Sequence, residues 1–236
     1  MQQYVWLIWS LLLLVIWCFF FIFKKNLRKE MIWASVWTAP LGLTEPLFVP
    51  GYWNPPSLFN LAEKTGFDIE SIIFSFAIGG LVAIIYEVFF KTRHIKMDIE
   101  EHYHRRHRFH ALAVSSPLLI FVALAVWTDW NHIYCAIVAM FLGGIAAIIC
   151  RPDLKKKVWV GGLLFLGFYF VFFVTLVAVF PNYVRDVWNF SQISGVLILG
   201  VPLEELLFAF SLGMLWSSLY EHIHWYKLAG VHRAGA

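Results

Sequence analysis

Apolar side chains run along the chain in seven long blocks, at residues 4–23, 31–50, 69–90, 111–128, 133–150, 158–180 and 202–220, with charged residues gathered mainly between them. Each block is continuously apolar rather than alternating, and each is close to the ~20 residues a helix needs to cross the hydrocarbon core of a bilayer. The pattern predicts seven membrane-spanning helices. An apolar lead-in at 193–201 is too short to span and is expected to lie in the interface or fold against the bundle, ahead of Pro202 as the first residue of the last helix.

Composition sharpens this picture. The 236 residues are 61% hydrophobic and only 14% charged, too apolar for a water-soluble domain. Soluble Rossmann and barrel enzymes are excluded, no glycine-rich nucleotide loop follows a strand pattern, and no cofactor is expected. Nor does any feature point to a nucleic-acid partner. The cysteines Cys18, Cys135 and Cys150 lie inside apolar runs without CxxC spacing and read as packing residues. No basic segment precedes the first block, which therefore reads as a span and not a cleaved signal. Lys and Arg number four in 24–29, six in 91–108, four in 151–157 and two in the tail, against only Lys64 and Arg185 in the alternate loops. The positive-inside rule then places the N-terminus outside and the C-terminus in the cytoplasm, in a multi-pass protein of the cell membrane.

Sliding the chain on itself by 134 residues aligns the segment from Asp68 with the segment from Pro202. Seven of 20 positions agree without a gap: Glu70 with Glu204, Phe74 with Phe208, Phe76 with Phe210, Gly79 with Gly213, Leu81 with Leu215, Tyr86 with Tyr220 and Glu87 with Glu221. Chance would give about two, so the reading is a duplication. Fainter echoes link Asn26-Leu27-Arg28-Lys29 to Asp153-Leu154-Lys155-Lys156, and Pro50-Gly51-Tyr52 to Pro181-Asn182-Tyr183. The expected plan is 3+1+3: a first three-helix repeat at 1–92, a basic loop and linker helix at 93–130, and a second repeat at 131–236. An odd number of spans per repeat plus one extra helix makes the copies parallel, with a site expected at their interface.

Ionisable groups inside spans are costly and default to functional candidates. Here they are acids: Glu70, Glu204, the adjacent Glu205, and Glu45 in the second block. Glu70 and Glu204 each precede the cytoplasmic end of their helix by 17 residues, roughly 25 Å, which sets both about one turn below the outer interface. Helix capping accounts for one carboxylate per first turn. It accounts neither for the doubled acid nor for the rings Phe74, Phe76, Phe208 and Phe210 just below. A carboxyl desolvated beside a like charge can hold a proton at neutral pH and act as a general acid. Aromatic faces, with Tyr52 and Trp53 added from the loop, can stabilise a cation in a dry site. Trp53, Trp127, Trp130 and Trp188 also fit an interfacial belt.

The cytoplasmic segment 101–110, with His102, His104, His107 and His110, and the pair His222 and His224 invite a metal reading. Yet the HxxxH and HxxHH boxes of membrane di-iron enzymes are missing and arginines interleave the histidines, so no metal is expected and the loop reads as a lipid-headgroup contact. No lysine lies mid-span, which removes a retinal Schiff base.

At Pro202-Leu203-Glu204-Glu205, followed by Leu206-Leu207-Phe208, the chain resembles the lycopene cyclase domain of heterodimeric bacterial and fused archaeal or fungal carotenoid cyclases. That family carries a three-span unit twice, with a P-x-E-E/D motif opening the third helix. The first copy departs from it, with Asp68 and Ser71 in place of the proline and the second acid, so only Glu70 carries over there. The resemblance implies redox-neutral cyclisation of a long polyene drawn from the bilayer: protonation of a terminal double bond, ring closure on the cation, and proton loss. Because two adjacent carboxyls in an apolar first turn cannot both ionise cheaply, the Glu204/Glu205 pair is the expected proton donor, with Glu70 as partner and Glu45 behind it. Membrane terpene cyclases acting on other polyprenyl chains look similar. Small 3+1+3 sugar carriers share the plan, although residues 77–83 and 211–217 are almost wholly apolar where a carrier needs polar groups. A noncatalytic subunit and a homo-oligomer stay open.

Overall fold

The computed structural model describes residues 4–230, and within them the chain is essentially all helix. The long elements are α1 (Val5–Phe23), α2 (Arg28–Thr38), α3 (Ile69–Phe90), α4 (His110–Trp127), α5 (His132–Cys150), α6 (Lys155–Val179) and α7 (Leu203–His224). Helices thus stand at all seven expected places. Among the described residues, five helical stretches, Val5–Phe23, Ile69–Phe90, Arg105–Trp127, His132–Cys150 and Pro152–Val179, are long and apolar enough to cross a membrane.

The other two depart from the expectation of seven for local reasons. α2 opens on Arg28, Lys29 and Glu30 and is α-helical for only 11 residues, after which Ala39–Leu47 tightens into a 3-10 helix. Pro40 and Pro46 lack the amide hydrogens that would continue the α pattern. α7 has the length but carries Glu204, Glu205 and Glu221 together with Ser211, Ser217 and Ser218.

α3 and α7 pack against each other at the centre. α1 and α2 flank α3, while α5 and α6 flank α7. α3 is buried without a break from Ala77 to Glu87, the pattern of a helix enclosed on every side. Close approach depends on small residues. A Cβ on Gly79 would meet Thr38 Oγ1 of α2 at 2.1 Å, and one on Gly213 would meet the Gly162 Cα of α6 at 2.8 Å. α4 contributes no buried residue. Asp68 caps α3 by accepting from the Ser71 amide at 2.6 Å, and Asn131 caps α5 from Ile133.

Both central helices end on left-handed residues, Lys91 (φ 49°) and Trp225 (φ 59°), which turn the chain into β1 (Thr92–Lys96) and a C-terminal strand, Tyr226–Gly230. These two strands pair antiparallel, centred on His94 opposite Leu228. The lead-in to α7 takes the second of its two expected courses and folds against the bundle, with Val201 buried. It is a small hairpin of β2 (Leu197–Ile198) and β3 (Val201–Pro202), turned by Leu199 and Gly200 at positive φ. Pro202 is the N-cap of α7, one place before its first helical residue. The C-terminal strand Tyr226–Gly230 is β4.

Candidate active site

The first turn of α7 places Glu204 and Glu205 in different surroundings. Glu205 points into the bundle, where Oε1 accepts from Tyr52 Oη at 2.6 Å and Trp188 Nε1 at 3.0 Å, and Oε2 accepts from Tyr169 Oη at 2.8 Å. The carboxyl and its three partners are all buried. Its partners come from three places: the loop after the 3-10 helix, the loop before the β2–β3 hairpin, and the middle of α6. Burial, reinforced by the adjacent Glu205 carboxyl, pushes the Tyr52 phenol well above its ordinary range, so Tyr52 keeps its proton and donates.

Aromatic rings enclose this group. Tyr169 lies 6.3 Å from Phe74 and 6.4 Å from Phe208, centroid to centroid. Phe173 meets Trp188 edge-on at 5.7 Å. Trp53 sits 5.4 Å from Trp188 and 4.8 Å from Trp6, and its backbone bridges that of Trp188. Of the expected aromatic residues, Phe74, Phe208, Tyr52 and Trp53 thus gather near Glu205. Phe76 and Phe210 go elsewhere, against Trp17 and Trp159.

Glu204, one residue away, turns toward a loop. Its Oε1 accepts from Tyr134 Oη at 2.7 Å and from the Ser194 amide at 2.8 Å, and its Oε2 is buried with no partner among the described residues. Glu70 repeats that arrangement, taking the Leu58 amide at 2.7 Å on Oε1 and leaving Oε2 buried and unpartnered. Glu45 accepts the Asp68 amide at 3.0 Å. The Tyr183 phenol, raised by burial and by the nearby Asp68 and Glu70, faces this second group of acids. Among the described residues Glu70 and Glu204 share no hydrogen-bond partner, and neither lines either of two cavities found nearby.

One of those cavities is an apolar cleft of about 490 Å³ between α1, α3 and α6, lined by residues including Phe20, Leu81, Ile84, Ile85, Leu164 and Phe168. Phe165 links it to the acid: its ring lies 6.0 Å from Phe168 and 5.8 Å from Tyr169. The other, about 330 Å³ and lined by Tyr4, Ser57, Leu58, Phe59, Asn60 and Lys64, opens over the loop that Glu70 holds.

A second buried polar cluster occupies the opposite end of the bundle. Lys157, counted from sequence among the loop cations, lies in the first turn of α6 and is 1% exposed. Its ammonium meets Glu221 at 2.5 Å, Glu87 at 2.6 Å and Glu30 at 3.5 Å, while His94 contacts Glu221 at 2.6 Å. The ammonium sits among the carboxylates where a metal cation would otherwise be drawn. Even with His94 protonated, three acids face two bases.

Sequence reasoning missed Tyr169, Trp188, Tyr134 and Lys157. The pairing of Glu204 with Glu205 was the one sequence signal at the turn of helix where these hydrogen bonds gather. Compared with known proteins, residues 131–223, somewhat under half of the chain, match the family described as lycopene cyclase. No curated protein and no solved structure matches the chain significantly. The matched stretch contains Tyr134, Tyr169, Trp188, Glu204 and Glu205, and it relates this helical bundle distantly to that family.

Proposed function

We propose that the chain is an integral-membrane cyclase of the lycopene type, closing end rings on a long polyene by proton-initiated, redox-neutral chemistry. The observation that carries this reading is the Glu205 carboxyl: buried, hydrogen-bonded on both oxygens by neutral donors, and ringed by aromatic faces. It lies within the stretch that matches the lycopene cyclase family.

The hydrogen-bond inventory gives the acid a route for its proton. Trp188 can only donate, and both it and Tyr52 serve Oε1. A proton on Glu205 therefore belongs on Oε2, donated to Tyr169, whose hydroxyl can accept that bond and turn its own hydrogen toward Phe74 and Phe208. Proton transfer through Tyr169 to a terminal double bond makes a tertiary cation. The neighbouring double bond attacks it, forming the ring carbon–carbon bond, and loss of an adjacent proton returns one to the site, so the product is an isomer of the substrate. The rings around Glu205 stabilise the cation and exclude water. The apolar cleft beside Phe168 offers the polyene an approach from the lipid side.

The same reading makes all seven long helices spans, N-terminus outside, in two parallel three-helix repeats joined by α4. Several features support it. The β1–β4 register centres on His94 opposite Leu228, residues 134 positions apart, the offset of the sequence repeat. Pairing about repeat mates is what a pseudo-twofold axis requires. Gly79 and Gly213 occupy the same role against α2 and α6, and Lys91 and Trp225 end their helices in the same left-handed conformation. Glu70 and Glu204 hold equivalent loop amides, which assigns them to shaping the site and leaves the proton to Glu205. Expression in cells that accumulate lycopene, with chromatography of the pigments, tests the function.

A further inference from the structure

Three groups distant in sequence converge at the Lys157 end of the bundle. His110 opens α4, Cys150 closes α5 and His222 lies in the last turn of α7. One ligand atom from each falls within 4.8 Å of the others. Cys150 Sγ stands 3.7 Å from His110 Nδ1 and 3.6 Å from His107 Nδ1. His222 is 1% exposed, and its Nε2 has no hydrogen-bond partner among the described residues.

A thiol hydrogen bond explains only part of this. The thiol can donate to one histidine and accept from the other, but it leaves the buried His222 nitrogen unsatisfied. A tetrahedral zinc ion held by Cys150, His110 and His222 occupies the thiolate and both of those imidazoles together. With Zn–S near 2.3 Å and Zn–N near 2.0–2.1 Å, sulfur and nitrogen ligands stand about 3.6 Å apart across the metal, close to the spacing that Cys150 keeps from His110. The surroundings also suit a metal site. The His110 ring is stacked on Trp225 at 4.2 Å, and His102 stacks on the same indole at 3.9 Å. The charge of the nearby Arg151 is matched by Asp153, through contacts of 2.9 and 2.7 Å.

We propose that the Cys150 thiolate, His110 and His222 bind a zinc ion, with the fourth position left to a water molecule. This departs from the sequence expectation of no metal, which weighed His222 with the loop histidines against the interleaved arginines but counted Cys150 as a packing residue. The ion has a structural task. α4 packs along α5 without fully burying any of its side chains, and a metal bond from its first residue to the ends of α5 and α7 fixes that end of the helix.

The test is metal analysis of the full chain, purified in detergent without a polyhistidine tag. Stoichiometric zinc is expected, together with loss of zinc in Cys150→Ser and His222→Gln and its retention in His104→Gln. Reloading the chelated wild-type chain with cobalt should give a thiolate-to-cobalt charge-transfer band and the strong visible bands of a tetrahedral site. This second readout decides the matter if the variants fail to fold. Zinc well below stoichiometry with no such cobalt spectrum, or zinc content unchanged in both ligand variants, overturns the proposal.

Discussion

Tyr52 donates its hydroxyl to Glu205 at 2.6 Å across 153 residues of chain. The loop that follows α2 and its 3-10 extension thereby completes the surroundings of an acid on α7. The stretch matching the lycopene cyclase family begins at residue 131 and so contains the acid without this partner. The acid site is a joint product of both halves of the chain, and its hydrogen bonds can be tested one at a time.

Glu205→Gln keeps size and hydrogen bonding but removes the transferable proton, so ring formation should fall by about 100-fold or more. Tyr169→Phe should lose nearly as much, because the proposed route runs through its hydroxyl. Tyr52→Phe, which removes a donor on the other oxygen, should cost about tenfold or less. Product yield per unit of expressed protein, measured by chromatography, checks this order. Equal losses in the two tyrosine variants would remove Tyr169 from the proton route.

Glu70→Gln and Glu204→Gln should leave ring formation within about tenfold of wild type, since a glutamine carbonyl still accepts the Leu58 or Ser194 amide. Glu70→Ala and Glu204→Ala leave a part-buried amide without its acceptor and should destabilise the protein by about 1 kcal/mol. Thermal unfolding in detergent separates the two sets. A loss in Glu204→Gln as deep as in Glu205→Gln, at unchanged stability, would transfer the acid role to Glu204.

Lys157→Met strips the ammonium from three buried carboxyls and should cost about 3–5 kcal/mol. Adding Glu87→Gln in the same chain should recover part of that loss. A single variant as stable as wild type would show that the cluster is solvated and not the dry network its burial describes.

The helices were legible in the sequence because each is a long apolar block, and Glu204 and Glu205 stood out because doubled acids in such a block are costly. Their division of labour was not legible. Adjacent helical residues point about 100° apart, and only the packing shows that Glu205 faces inward while Glu204 faces a loop. Tyr169 lies among Phe165, Phe168, Phe170, Phe172 and Phe173, where nothing local distinguishes the one ring that carries a hydroxyl to the acid. Trp188 reads as an interfacial tryptophan until its bond to Glu205 is seen. Lys157 follows two further lysines and passes for a loop cation, though the helix begins at Lys155 and carries it into the core.

The same limit holds for the glycines. The match of Gly79 with Gly213 was visible in the repeat, but the reason for it is a helix contact. Gly213→Ala would press a Cβ against the α6 backbone at Gly162, which cannot move aside as a side chain can. A cost of about 1–3 kcal/mol is expected, read as a lower unfolding temperature. An Ala variant as stable as wild type would show that α6 and α7 are farther apart than described.

The most direct measurement is incubation of membranes carrying the expressed full chain with unlabelled lycopene in deuterated water, with chromatography and mass spectrometry of the pigments. The account predicts cyclic products isomeric with lycopene that carry solvent deuterium in each ring formed, and their loss in Glu205→Gln expressed at the wild-type level. Unchanged lycopene beside well-expressed, membrane-inserted wild-type protein would contradict the lycopene-type reading, and cyclic product free of solvent deuterium would contradict proton initiation.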